Sequence, residues 1–397
     1  MQDQHAPSRR LIWHLAGLAV LAYGLGAFVA LYDYSFDTPS RLSAKTPWWD
    51  FANMWVGGRL ALEGQLPVLF DPEAYRAVQR DYFGPGIADS EWSYPPVMLL
   101  LVAPLSLLPI GVAYWAWHLG TVALFAAVIR PYVTGVPARW VLVLSPAVIV
   151  STVLGQNGAL TAALVVGVFR FRRERAWLAG LCLGALLIKP HLALLIPFTL
   201  LAERNIRVNL WAALTVVTQI TLVLAFWGPE AWVGFWQVTR PLMTEINNAS
   251  FPQDYHLHAI TVFAFFRSLG ADLGSAYMAQ GLMTLGSLGM VIWVFWSKQL
   301  DEAARVALVV ALVPLATPYG YGYDLVMFAV PLAYVLTRAD ARILGYLLVI
   351  WCWPILTKIV ATHGLYPSPI LLASFALLVL WVGLRRTRHV QVAGVAA

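Results

Sequence analysis

The residues best suited by type and spacing to do chemistry are few. Asp50 lies in the run Trp48-Trp49-Asp50-Phe51-Ala52-Asn53-Met54-Trp55, followed by Gly57-Gly58-Arg59 and Glu63-Gly64. Aromatic rings exclude water and stack on sugar or lipid groups, and a carboxylate among them can take a proton from a hydroxyl. The same spacing suits a plainer arrangement, in which Asp50 caps the following helix and the tryptophans are interfacial anchors. Ser93-Tyr94-Pro95-Pro96 reads as extended chain entering a helix, where free amides suit a phosphate. Lys189-Pro190-His191 separates two apolar runs, Leu178 to Ile188 and Leu192 to Leu201. An ammonium there is costly in lipid unless paired or hydrated, and it suits a phosphate with His191 as a second donor. A lysine snorkelling to the interface is the alternative. Two more polar aromatic clusters are Asp254-Tyr255-His256-Leu257-His258 and Pro318-Tyr319-Gly320-Tyr321-Gly322-Tyr323-Asp324. His256 and His258 have metal-ligand character but no third ligand beside them, and they read equally as interfacial hydrogen-bonding groups.

The elements that must position these groups are membrane helices. The 397 residues are 60% apolar or aromatic and 12% charged, about half the charged fraction of a soluble domain. Lipid must therefore be the solvent for much of the chain. The net charge of +6 is spread over short clusters between apolar runs, a pattern of topology determinants that argues against a nucleic-acid partner. Cys182 and Cys352 show no paired spacing for redox or metal work. There is no Walker loop, GxGxxG, HExxH or CxxC, which argues against ATP-driven transport. Arg9-Arg10 precedes an apolar run without a small-residue cleavage site, so residues 11–31 read as a first membrane helix.

With the basic clusters Arg9-Arg10, Arg170 to Arg175, Arg204 to Arg207, Lys298 to Arg305, Arg338 to Arg342 and Arg385 to Arg388 all cytoplasmic, a path follows. Outward passes are 11–31, 111–129, 177–188, 209–227, 303–317 and 342–357. Inward passes are 95–109, a broken 140–169, 192–202, 274–296, 324–337 and 368–384. The expected fold is all-α and polytopic, with about 10–13 membrane helices in one domain spanning 1–397. Residues 32–94 form a long first outer loop and 228–273 a second. Within the first loop, Asp50 to Leu62 reads as an interfacial helix, and Asp71-Pro72 as a capped helix start. Segments as short as 12 residues cannot cross about 30 Å of hydrocarbon unaided, so protein or a water-filled cavity must shield their ends.

Taken in order, Asp50, Gly57-Gly58-Arg59, Glu63-Gly64-Gln65, Phe70-Asp71-Pro72, Tyr94-Pro95-Pro96, the Pro104 to Pro109 run, Gly155-Gln156-Asn157, Lys189-Pro190-His191 and Pro318-Tyr319 with Tyr323-Asp324 carry a resemblance. Over roughly residues 45 to 335 the chain resembles glycosyltransferase family 87. This is the bacterial polyprenyl-phosphate-mannose-dependent group within the C-type membrane glycosyltransferase (GT-C) fold.

The resemblance implies a polyprenyl-phosphate-linked sugar donor reached from the outer leaflet, and a glycan or lipid acceptor left unspecified. It implies inverting single displacement with Asp50 as catalytic base, no cofactor and no catalytic metal. It also implies residence in the inner membrane of a bacterium, with the site facing the periplasm. Many relatives carry a basic residue before the Pro-Pro step. Tyr94 stands there in this chain, so Lys189 and His191, with Arg59 and Tyr94, are the candidates for the donor phosphate. Trp49, Asn53, Gln156, Asn157, His256, His258, Tyr323 and Asp324 are candidate substrate contacts. The family name favours mannose, although no residue selects it over another sugar.

The competing reading is a lipid-linked saccharide transporter or flippase. That function calls for repeat symmetry and polar residues midway along helices. Here the polar residues crowd one face.

Overall fold

A computed structural model describes residues 13–14, 16–25 and 49–395, apart from 86, 88, 134, 339 and 340. Trp48 lies outside the described residues, as do residues 11, 12, 15 and 26–31 of the 11–31 pass. The first half of the chain contains α1 (Ala16–Leu25), α2 (Trp49–Leu62), α3 (Leu66–Leu69), α4 (Pro72–Phe83), α5 (Leu99–Leu105) and α6 (Ile110–Val128), then α7 (Val136–Val143), α8 (Pro146–Val153), α9 (Gly158–Phe171) and α10 (Ala176–Ala185). The second half adds α11 (Ile196–Ala202), α12 (Ile206–Trp227), α13 (Glu230–Gly234), α14 (Arg240–Asn248), α15 (Val262–Ser268) and α16 (Leu273–Ser297). It ends with α17 (Glu302–Leu312), α18 (Ala329–Leu336), α19 (Leu344–Ala361) and α20 (Ser368–Val395). Among the described residues no sheet forms; a lone bridge joins Ala259 to Tyr321.

Local chemistry sets several helix starts. Asp71 accepts from the Glu73 and Ala74 amides at 3.1 Å ahead of Pro72, as the sequence predicts. Asp272 and Asp301 do the same for α16 and α17.

The protein is a polytopic membrane protein. Helices α6, α12, α16, α19 and residues Ser368–Arg385 of α20 are long and apolar enough to cross a bilayer. Shorter apolar stretches, including Gly158–Phe171, Ala176–Ile188, Pro190–Ala202 and Gly322–Leu336, pack among them. Every residue of α17 beyond Ala303 is buried by its neighbours, which is the shielding that short helices need.

The bundle has two chemically different ends. At one, Arg172, Arg173 and Arg305 meet Glu203 and Glu302: Arg172 Nε lies 2.7 Å from Glu203, Arg173 2.5 Å from Glu302 and Arg305 3.0 Å from Glu302, with Arg172 also paired to Glu302. Two basic clusters assigned to one membrane face thus share one ion network, closed by Glu203 next to a third. From there α9 runs 14 residues, about 21 Å, to the opposite end, where Gly158 abuts Tyr323. The stretch 176–189, residues 190–203 and α17 run between the same two ends.

The sequence-derived path departs from the structure between 95 and 169. Residues 95–109 do not pass inward. α5 packs beside α2, and Trp55 Nε1 donates to the Leu108 carbonyl at 3.0 Å, so the segment stays at the Asp50 end. α6 therefore begins at that end, with Tyr114 Oη 2.6 Å from the Thr152 carbonyl, and descends until Tyr132 feels the charges of Arg170, Arg172 and Arg173. Residues 136–153 climb back, and the chain reverses at 154–157 into α9. What reads as one broken pass is a hairpin; the two changes cancel, so the later helices keep their expected directions. α2 also differs from an interfacial helix. All of its residues from Phe51 to Ala61 except Arg59 are buried, because α4, α5 and α6 enclose it.

Candidate functional site

At the end opposite the ion network, four loops and helix ends converge around two carboxylates and an ammonium. Asp50 sits in the first turn of α2, and its Oδ2 accepts a 2.7 Å hydrogen bond from Gln156 Nε2, 106 residues away. The Gln156 turn is shaped by Gly155, whose φ of 70° and whose closeness to the Phe51 amide leave no room for a side chain. At Gly158 an added Cβ would lie 2.3 Å from the Tyr323 carbonyl, so α9 begins in direct contact with the 322–328 turn. Ser151 Oγ accepts from the Gly158 amide at 3.1 Å and steadies the reversal.

Lys189 lies at the head of the 176–188 helix and is buried, with 8% exposure. Its Nζ donates to Asp324 Oδ1 at 2.9 Å and lies 4.7 Å from the centre of the Tyr323 ring. Asp324, 1% exposed, also accepts from the Tyr321 amide through Oδ2 at 3.2 Å. The Tyr321 and Tyr323 rings stack at 5.4 Å. The pairing satisfies the requirement that a buried ammonium be compensated. It also replaces the snorkelling alternative, since the lysine points into protein.

Electrostatics tie these groups into one site. Burial pushes the Asp50 carboxyl up to about 6, opposed by the Gln156 hydrogen bond and by the charge of Lys189. Burial raises the Tyr94 phenol, and the nearby carboxylates of Asp50 and Asp324 raise it further. Tyr94 therefore faces both acids. Three amide atoms beside Asp50 are buried without hydrogen-bond partners: Gln156 Oε1, Asn157 Nδ2 and Asn157 Oδ1. His191 Nε2 is in the same condition, with its ring 6.1 Å from that of Tyr319. An unsatisfied buried polar atom is costly, and a polar group bound here would satisfy these four.

The structure thus gathers Asp50, Tyr94, Gln156, Asn157, Lys189, His191, Tyr323 and Asp324. Other candidates serve elsewhere. Asn53 is used internally: its amide donates to the Glu91 carbonyl at 2.8 Å, and the Tyr75 hydroxyl lies 2.7 Å from its Oδ1. Arg59 lies at the far end of α2, half-exposed and paired with Glu63 at 2.7 Å. Trp49 opens α2, but its side chain lies outside the described residues.

His256 holds its own loop together, with Nδ1 accepting from the Gln253 amide at 3.0 Å. Burial pushes both His256 and His258 down to about 4, so neither is a cation at neutral pH. Their loop reaches the site through the Ile260 amide, which donates to the Gly320 carbonyl at 3.0 Å. Among the described residues, no three His, Cys, Asp or Glu side chains converge as a metal site. The sequence marks Tyr321 only as one of the 318–324 cluster, and it does not mark Ser151, whose contact with Gly158 depends on the reversal at 154–157.

A comparison with protein families matches residues 92–318 to glycosyltransferase family 87. The chain belongs to glycosyltransferase family 87. The match covers more than half of the 397 residues and includes Gln156, Lys189 and the Pro318-Tyr319 step, while Asp50 lies ahead of it. No curated protein and no solved structure matches the chain. Family membership makes this protein a membrane glycosyltransferase, an enzyme with a sugar donor and an acceptor.

Proposed function

We propose that this family 87 enzyme transfers a hexose, mannose being favoured, from a polyprenyl-phosphate donor to an acceptor hydroxyl, with inversion at the anomeric carbon. The observation that carries the reading is the Asp50 carboxylate: part-buried, held by Gln156, and pushed by burial to a midpoint of about 6. A general base works best with a midpoint near the operating pH. Asp50 takes the proton of the acceptor hydroxyl as its oxygen bonds to the anomeric carbon. The bond from that carbon to the phosphate oxygen breaks, and the electron pair leaves with the lipid phosphate. Lys189 meets the charge that develops there, which is the main electrostatic requirement of such a step. The unpartnered Oε1 of Gln156 and the amide of Asn157 supply neutral acceptors and a donor suited to sugar hydroxyls.

A lipid-linked donor is supported by a groove of about 440 Å³ between α10, α11 and α12, lined almost wholly by apolar side chains such as Leu183, Leu187, Pro197 and Val216. Its lining includes Pro190, the residue after Lys189. A prenyl chain lying there would run from the cation into the bundle's apolar flank. With the basic ion network taken as cytoplasmic, the site would face the periplasm from a bacterial inner membrane.

The test is turnover by purified protein supplied with several polyprenyl-phosphate sugars. The native enzyme is expected to use one of them, and Asp50→Asn to lose transfer while still binding donor. Substantial turnover by the variant removes Asp50 from the role of base.

A further inference from the structure

Lys189 has two carboxylates within electrostatic reach and touches only one. Its ammonium is 2.9 Å from Asp324, and its charge also acts on Asp50, yet among the described residues its ion-pair partner is Asp324 and not the base. Gln156, which is bonded to Asp50, lies two residues from Gly158, and Gly158 abuts Tyr323 next to Asp324; Tyr94 and Tyr323 accordingly each feel both acids. A lysine free to choose there would close on Asp50. That closed pair would quench the base and withdraw the cation from the phosphate.

We propose that Asp324 is a positioning residue that holds the Lys189 ammonium off Asp50 and keeps it directed to the leaving phosphate. The inference rests on the reading of Asp50 as base and Lys189 as phosphate cation. Asp324 is itself fixed from two sides: the Tyr321 amide holds Oδ2, and the 322–328 turn that carries it is pressed against Gly158. Its anchor is therefore part of the same framework that sets Gln156 against Asp50. During transfer a negative charge disappears at Asp50 as it takes the proton and appears on the phosphate oxygen as the sugar bond breaks. An ammonium held between them serves both states without moving, and preorganised charge of this kind costs no rearrangement in the transition state.

The experiment is the pH dependence of transfer from a short-chain polyprenyl-phosphate sugar by the full-length enzyme. The charged and titratable groups that act on Asp50 are Lys189, Tyr94, Tyr321 and Tyr323, with Asp324 joined to them through Lys189, and the two substitutions change one charge each. Asp324→Asn removes an anion and lets the ammonium close on the base. The acid limb is expected to fall by about one pH unit, with the plateau rate down about tenfold or more. Lys189→Met removes the cation, and the limb is expected to rise by about one unit, with a weaker apparent donor affinity.

A purely structural Asp324 would lower the amount of folded enzyme without moving the limb. An unmoved limb, or a native plateau rate, in Asp324→Asn overturns the proposal. Should Asp324→Asn not fold, Asp324→Glu keeps the charge and shifts the anchor by one methylene. A fall in plateau rate and a raised donor KM are then expected, and native values of both overturn the idea. Asp50→Asn, run in parallel, separates the readings: an active Asp50→Asn sinks the base assignment, whereas an inactive one beside an unmoved Asp324→Asn sinks only the positioning role.

Discussion

Gln156→Met isolates what the protein does to its candidate base. Methionine fills a similar volume but removes the 2.7 Å hydrogen bond that Gln156 donates to Asp50. That bond opposes the effect of burial, which has already pushed the carboxyl up to about 6. A hydrogen bond to a charged group contributes about 1.5–3 kcal/mol, equivalent to about one to two units in the midpoint at 1.36 kcal/mol per unit. Asp50 in the variant should then ionise near pH 7–8 by that reckoning, toward the lower figure if water enters the vacated space. The assay is kcat/KM for sugar transfer between about pH 5 and 9 in detergent or nanodiscs, with the limb's midpoint as the readout. At pH 6 the variant should lose about tenfold, while at pH 9 most of the native rate should return. A limb that coincides with the native one refutes the reasoning, and so does a loss of equal size at every pH.

Stability should show the same electrostatics with the opposite consequence. The folded Asp50 midpoint, about 6, lies above its ordinary 3.8, so the protonated form is favoured by folding. That contribution is present below 3.8 and is lost as pH rises through 6, a difference of up to about 3 kcal/mol. Asp50→Asn is therefore expected to melt higher than the native protein at pH 8 and alike at pH 3.5; equal melting at both contradicts the burial of the charge. Gly158→Ala puts a methyl 2.3 Å from the Tyr323 carbonyl and should destabilise by about 2 kcal/mol or more, with transfer reduced as the 322–328 turn is pushed away. An alanine variant with native melting and rate would show that the contact is looser than this. Single cysteines at Arg204 and Asn248 should label from opposite sides of the membrane, Asn248 from the periplasm. Labelling of both from one side would overturn the helix directions given above.

Some of the site is legible from residue types alone. Asp50 among tryptophans and Lys189 between two apolar runs stand out because charge in lipid needs a reason. The reason for Lys189 is Asp324, 135 residues away, and no local pattern announces that partner. Asn53 and His256 look like free polar groups in the sequence, yet Asn53 is consumed by Tyr75 and Glu91, and His256 spends its Nδ1 on the Gln253 amide while its buried Nε2 has no partner. The hairpin at 154–157 is hidden for a related reason. Gly155-Gln156-Asn157-Gly158 signals a break, but a break within one pass and a reversal between two short helices have the same composition.

The sequence by itself determines the solvent of this protein and supplies the basic clusters on which its proposed sidedness rests. Its apolar content requires lipid, and its basic clusters sort one set of helix ends, because each helix's hydropathy and flanking charge are local properties. The tertiary structure alone decides what the acid near the start of the chain can do. Asp50 becomes a candidate base only when Gln156 reaches it and Lys189 is held by Asp324 instead. Each of those contacts joins residues more than 100 positions apart, so each exists only once the helices have packed.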